Sequence, residues 1–214
     1  MSSERIDRIR SGVIYGSVIL GSAWLSHWAF LAVLTTILIL SKKEVFTLFK
    51  SVRERLSFLV FLTLSLLLLY LLYLDEPWHA ISLIIAAVIF DTTCYYGGRT
   101  FGGPKLVPKI SPGKTWSGFI LGVLVLVVVT NIYLSDEQLN YNSSVERLLL
   151  GVGVPALLSL VLLSGDLLIS AFKRRAGLKD TGTILPGHGG ILDRIDSILF
   201  VGIAGQIFYF GSSL

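Results

Sequence analysis

Apolar residues run along this chain in long blocks separated by short, strongly polar intervals, the pattern of helices in lipid rather than of a soluble fold with alternating faces. The first block, from about Gly12 to Leu40, exceeds one span but falls short of two at ~20 residues each. Its flanks are both basic, with Arg5, Arg8 and Arg10 before it and Lys42, Lys43, Lys50, Arg53 and Arg55 after it. Cytoplasmic flanks carry Lys and Arg, so the block is predicted to fold back on itself at Ser26-His27-Trp28, with Trp24 and Trp28 at the interface. Gly21-Ser22-Ala23 resembles a signal-cleavage site, but unbroken apolar sequence as far as Leu40 favours retention.

Further spans are predicted over Ser57 to Leu74, Trp78 to about Gly98, Trp116 to Leu134, about Arg147 to Ser164, and Ile198 to Phe210. The expectation is an all-α polytopic integral membrane protein of about seven transmembrane helices, its amino terminus cytoplasmic and its carboxyl terminus on the opposite side. On that arrangement every Lys and Arg except Arg147 is cytoplasmic, while Asp75, Glu76, Asp136, Glu137 and Glu146 lie opposite. Residues 1–214 form a single membrane domain, with amino-terminal helices over 1–74 and a half, 78–214, that carries the cytoplasmic loops 99–115 and 165–197.

Composition agrees: of 214 residues 53% are hydrophobic, and the mean hydropathy is +0.77. A net charge of +4 raises the question of nucleic acid, but the cations lie between apolar runs and point to anionic lipid instead. The lone Cys94 excludes an internal disulfide framework and a cysteine metal site. No internal repeat is visible, and the polar residues gather at one face, against a transporter or channel with midplane sites.

The interval Ser164 to Ser197 departs most from this apolar background, with five Lys/Arg and four Asp among glycines. Such charge beside hydrocarbon is costly unless it meets a metal, a phosphate or a partner. Asp193 and Asp196 are three apart, so a helix from Leu192 onward puts both on one face, where they could share a divalent cation. Gly187, Gly189 and Gly190 around His188 let backbone N–H groups approach a ligand, and Lys173, Arg174, Arg175 and Lys179 match phosphate oxygens. These are the parts of phosphoryl or nucleotidyl transfer. Taken singly they have plainer readings: Arg175 as an orientation signal, an aspartate as a helix cap.

A second polar set begins with Asp91, an intramembrane carboxylate that is either a functional group or a helix-locking partner. Downstream, Ser111-Pro112-Gly113-Lys114-Thr115-Trp116 offers hydroxyls and an ammonium to a phosphate, or simply a cap to the next helix.

Ser170, Lys173, Arg174, Lys179, Asp180, Gly182, Leu185, Pro186, His188, Gly189, Gly190, Asp193, Arg194 and Asp196 fall at the spacing of the phosphatidate cytidylyltransferases, and this region resembles that family. The resemblance runs from about Asp91 to the end, with a faint echo in Arg10 and Lys43-Glu44-Val45-Phe46. The amino-terminal half looks shortened relative to the family by an even number of crossings. Gly113 and Ser117 depart from its usual form, Ser117 standing where Glu is common.

The resemblance implies transfer of CMP from CTP to phosphatidic acid, giving CDP-diacylglycerol and pyrophosphate, at the cytoplasmic face of a bacterial-type plasma membrane. It implies Mg²⁺, with room for a second cation, at Asp166, Asp193 and Asp196. Lys173, Arg174, Lys179 and Arg194 would clamp the phosphates, and His188 with Gly189 and Gly190 would line the nucleotide pocket. Ser111, Lys114 and Thr115 would close the site, and Asp91 would orient these groups or add charge. A homodimer in membrane lipid, without nucleic acid, is the expected assembly. The alternatives are a CTP-dependent kinase of a polyprenol or phytol, which would release CDP, and an inactive relative.

Overall fold

A computed structural model of the chain describes residues 3–136, 144–184 and 189–212. Helix α1 (Ser3–Leu25) and helix α2 (His27–Leu48) are separated at Ser26, whose Oγ accepts from the Ala29 N–H at 3.1 Å and caps α2. The hairpin expected at Ser26-His27-Trp28 is therefore present, although α2 continues through the basic pair Lys42-Lys43. Helix α3 (Val52–Asp75) meets helix α4 (Pro77–Phe101) at Glu76, with Pro77 opening α4 where its missing N–H costs nothing. Gly102 and Gly103, at φ 63° and 98°, end α4 in a backbone that favours glycine.

The next segment differs from the loop expected over 99–115. Strands β1 (Lys105–Val107) and β2 (Ser111–Thr115) pair antiparallel, with Lys105 opposite Thr115 and Val107 opposite Ser111. This small hairpin departs from the expected all-helical chain. Helix α5 (Trp116–Asp136) follows directly. Part of the acidic loop expected over 135–146 lies outside the described residues.

Helix α6 (Ser144–Leu148), a π-helical turn over Leu149–Gly153 and helix α7 (Val154–Arg175) make one rod of 32 residues. At 1.5 Å per residue it is ~48 Å long, well beyond the ~30 Å of a hydrocarbon core, and so long enough to carry its basic end past the lipid. The span expected to stop at Ser164 thus continues as helix to Arg175. A short helix α8 (Leu192–Ile195) and a 3₁₀ turn over Ile198–Phe200 lead into α9 (Val201–Ser212).

The rods are held by apolar side chains and by glycine at close crossings. Phe30, Leu62, Leu69, Phe90, Leu162 and Ile169 are buried in a common core. On α5, a Cβ at Gly118 would run into the Cys94 carbonyl, and one at Gly122 into Phe90 and the Cys94 Sγ, so α4 and α5 approach backbone to backbone. Gly202 does the same for α9 against Ser65 and Leu69 of α3. Tyr73 Oη donates to the Ala23 carbonyl at 2.6 Å, fixing α3 to α1. At that end Trp24 and Trp78 meet edge-on, centroids 5.5 Å apart, both exposed, as interfacial aromatics are.

The helices Val52–Asp75, Pro77–Phe101 and Ser144–Arg175 are long and apolar enough to cross a membrane, and Ile14–Leu25 and Trp116–Ile132 are shorter apolar stretches. With exposed Val60, Leu64, Leu67 and Leu71 along α3, the chain reads as a membrane protein.

Candidate active site

Asp166, Ser170 and Lys173 recur at i, i+4 and i+7 on α7 and so share one helical face. Ser170 Oγ donates to Asp166 Oδ1 at 3.2 Å. The other Asp166 oxygen is ion-paired with Lys114, carried in by β2. The hairpin missed in the sequence is what delivers this ammonium.

Two more carboxylates stand close enough to act on that pair: Asp91 from α4 and Asp196 after α8 both bear on Lys114. Ser197 bridges them, donating from its Oγ to Asp91 Oδ2 at 2.6 Å and from its N–H to Asp196 Oδ1 at 2.8 Å. Burial alone would lower the Lys114 pKa, but Asp166, Asp91 and Asp196 together carry it above its ordinary value. For Asp196 loss of water comes first, the negative charges of Asp166 and Asp91 add to it, and the carboxyl is pushed well above its usual range.

Asp193 has a different set of partners. Its Oδ1 pairs with Lys173 Nζ at 2.6 Å, and its Oδ2 accepts from the N–H groups of Thr181 at 2.8 Å and Gly190 at 3.0 Å. Burial raises its pKa, but the Lys173 bond and the two amides more than offset this and hold it below the usual carboxylate value. Gly189, at φ 85°, makes the turn that brings the Gly190 amide there. The helix expected from Leu192 is a single turn, and the two aspartates it was to align serve separate partners.

Glu44 of α2, only 2% exposed, completes this second cluster. Its Oε1 accepts from Ile191 N at 2.7 Å and its Oε2 from Leu192 N at 2.9 Å and Thr181 Oγ1 at 2.7 Å. The Thr181 hydroxyl also lies 3.0 Å from Asp193 Oδ2, between the two carboxylates. Glu44 was missed as a site residue; its signal was a carboxylate at the basic end of an apolar block, in the Lys43-Glu44-Val45-Phe46 echo.

The remaining expected residues divide. Arg174 donates to the carbonyls of Ile110 and Leu178, both at 3.1 Å, and so lashes the hairpin to the end of α7. Thr115 is buried, accepts from Gly118 N at 3.2 Å and caps α5, while Ser117 bonds to Thr115 and to the Gly102 carbonyl. Lys179 and Arg194 are exposed and Ser111 half-buried at the hairpin. His188 lies outside the described residues.

Among the described residues no three carboxylate or imidazole side chains converge tightly enough to hold a metal as they stand. The donor chemistry nevertheless suits a hard cation: Asp91, Asp166 and Asp196 offer only oxygen, and Ser197 ties two of these carboxylates together.

The sequence model described as "Cytidylyltransferase family" matches residues 75–211. The phosphatidate cytidylyltransferase of Haemophilus influenzae is 38% identical over 145 residues, covering 64% of this chain and 49% of that protein. That of Rickettsia prowazekii is 38% identical over 157 residues, 71% of this chain and 68% of the relative. That of Brucella abortus is 40% identical over 158 residues, 69% and 53% respectively. The chain thus spans from about half to two thirds of the length of these curated relatives. On the strength of the matched region, which contains both polar clusters apart from Glu44, the chain belongs to the cytidylyltransferase family.

Proposed function

We propose that this protein is a CTP:phosphatidate cytidylyltransferase, moving the CMP unit of CTP onto phosphatidic acid to give CDP-diacylglycerol and pyrophosphate. The observation that carries the reading is the meeting of Asp91, Lys114, Asp166 and Asp196, brought from distant parts of the chain to one polar site. Relatives bearing that activity in their names support it.

The lipid phosphate is already anionic and attacks the α-phosphorus of CTP; the bond to the β-phosphate oxygen breaks and pyrophosphate leaves. No strong base is required, and the task of the site is to place two anions together and neutralise the charge that grows between them. Lys114 and Lys173 are half-buried ammonium groups held by carboxylates, so they are fixed in position before substrate arrives. Arg194 and Lys179, exposed at the rim, draw the triphosphate and the acidic lipid. Arg174 keeps the hairpin, and with it Lys114, in register.

Mg²⁺ is the proposed cofactor, held by Asp166 and Asp196 with Asp91 beside them; bound there, it would polarise phosphoryl oxygens as a Lewis acid. Asp193 is assigned to bracing Lys173 and the backbone at Thr181 and Gly190. About seven spans, a bacterial inner membrane and a homodimer complete the proposal, and the basic residues clustering at the site's end of the helices support a cytoplasmic site.

The test is pyrophosphate release by purified protein in lipid micelles given CTP, Mg²⁺ and phosphatidic acid. Release that needs all three and falls at least a hundredfold in Asp196→Asn supports the reading. CDP without pyrophosphate would replace it with a lipid kinase, and no product from folded protein would reject it.

A further inference from the structure

Three backbone and side-chain donors of the segment 181–192 end on one side chain that belongs to neither half of the family's matched region: Glu44, on α2, outside residues 75–211. Its two oxygens take the amides of Ile191 and Leu192 and the hydroxyl of Thr181, with almost no exposure to solvent. The same Thr181 and the neighbouring Gly190 hold Asp193, and Asp193 holds Lys173. Gly182 and Gly190 pack tightly against the carboxylate: a Cβ on Gly182 would come within 3.1 Å of Glu44 Oε1, and one on Gly190 within 2.5 Å of Oε2.

We infer that Glu44 is a positioning residue for the cytidylyl-transfer site: through this carboxylate, with Thr47 Oγ1 also reaching the Thr181 carbonyl at 3.4 Å, helix α2 sets the placement of the residues that hold Asp193 and the Lys173 ammonium. The geometry accounts for the type of side chain needed. Two adjacent amides and a hydroxyl point at one spot, and only a group with two acceptor oxygens and no donor satisfies all of them. An amide in its place offers one oxygen and turns an NH₂ toward an N–H, leaving a buried donor unmatched. An aspartate keeps both oxygens but retracts them by one methylene.

The inference rests on the proposed reaction, so its test reads structure as well as turnover. Glu44→Gln, Glu44→Asp and wild type are compared by pyrophosphate release, by thermal unfolding in detergent and by amide hydrogen exchange of peptides covering 189–199. The expected result is exchange in that segment at least tenfold faster in Glu44→Gln. The exchange of α3 and α4 stays unchanged, kcat falls at least tenfold, and KM for phosphatidic acid stays within twofold. Glu44→Asp, by retaining two acceptors, should recover part of both losses.

Unchanged exchange at 189–199 would overturn the inference, as would faster exchange with kcat within twofold of wild type. So would uniform loosening of all helices in both variants, which is a merely structural effect. If wild type releases no pyrophosphate, the reaction is wrong; the exchange data then still show whether Glu44 braces the segment.

Discussion

Lys114 and Asp166 form an ion pair between the β-hairpin and the long rod that ends in α7, each side chain about one-fifth exposed. Asp91 and Asp196 press on the same ammonium, so it neutralises part of a surplus of carboxylates. Lys114→Met should therefore do two things at once. Turnover falls at least tenfold, and the Mg²⁺ concentration for half-maximal rate falls too, because the carboxylates lose their competing cation. Rates measured across a Mg²⁺ series check this; a higher Mg²⁺ requirement would contradict it.

Asp193 offers a pH prediction. Its folded pKa is depressed, so its contribution to stability is present above the unfolded carboxyl value of ~3.9 and is lost as pH falls through the lower folded value. Asp193→Asn leaves Lys173 without its counter-charge and should cost about 3 kcal/mol near neutrality. The gap in unfolding midpoint between wild type and variant should narrow as the pH drops below ~4.

The neighbours Arg174 and Arg175 should behave differently. Arg175 reaches Glu54 at 2.6 Å, but its side chain is 68% exposed, and such pairs contribute about 0–1 kcal/mol. Arg174 bonds two carbonyls across the hairpin and the end of α7. Arg175→Ala should keep activity within twofold, while Arg174→Ala should reduce it at least tenfold by freeing the hairpin.

Glycine substitutions separate close crossings from open ones. Gly118→Ala forces a methyl into the Cys94 carbonyl and should destabilise by about 1–3 kcal/mol, the range for overpacking. Gly21→Ala meets nothing within 4 Å and should be neutral or gain up to about 1 kcal/mol from helix propensity. Thermal unfolding of both in one detergent decides it.

These contrasts show where the sequence was readable. Blocks of apolar residues and their basic flanks announce the helices and the Ser26 turn because lipid permits few alternatives to a helix. The density of charge after Ser164 announces the site because nothing else in an apolar chain would tolerate it. The β-hairpin was not announced: β2 reads Ser-Pro-Gly-Lys-Thr, with no alternation and two residues poor in strands. The end of α7 lies beyond Ser164 because Asp166, Lys173, Arg174 and Arg175 continue the helix, and charge ends an apolar run without ending a helix. The Glu44 contacts cross 137 to 148 residues of chain, and the separation of Asp193 from Asp196 follows from a bond to Lys173 on another helix; no local pattern encodes either.

The π-helical turn at Leu149–Gly153 is itself anchored to α5, with Asn131 Nδ2 donating to the Gly151 carbonyl at 2.8 Å, and the face of the rod that carries Asp166, Ser170 and Lys173 follows it. Each residue of an α-helix advances the side chains by ~100° about its axis. The wider turn therefore works as a phase setting for everything below it. Deleting one residue there while the upper contact holds would swing Asp166, Ser170 and Lys173 through about a quarter of a revolution. The same side chains would then turn away from Lys114 and Asp193, so the aim of the site is decided more than three helical turns away from it, at Leu149–Gly153.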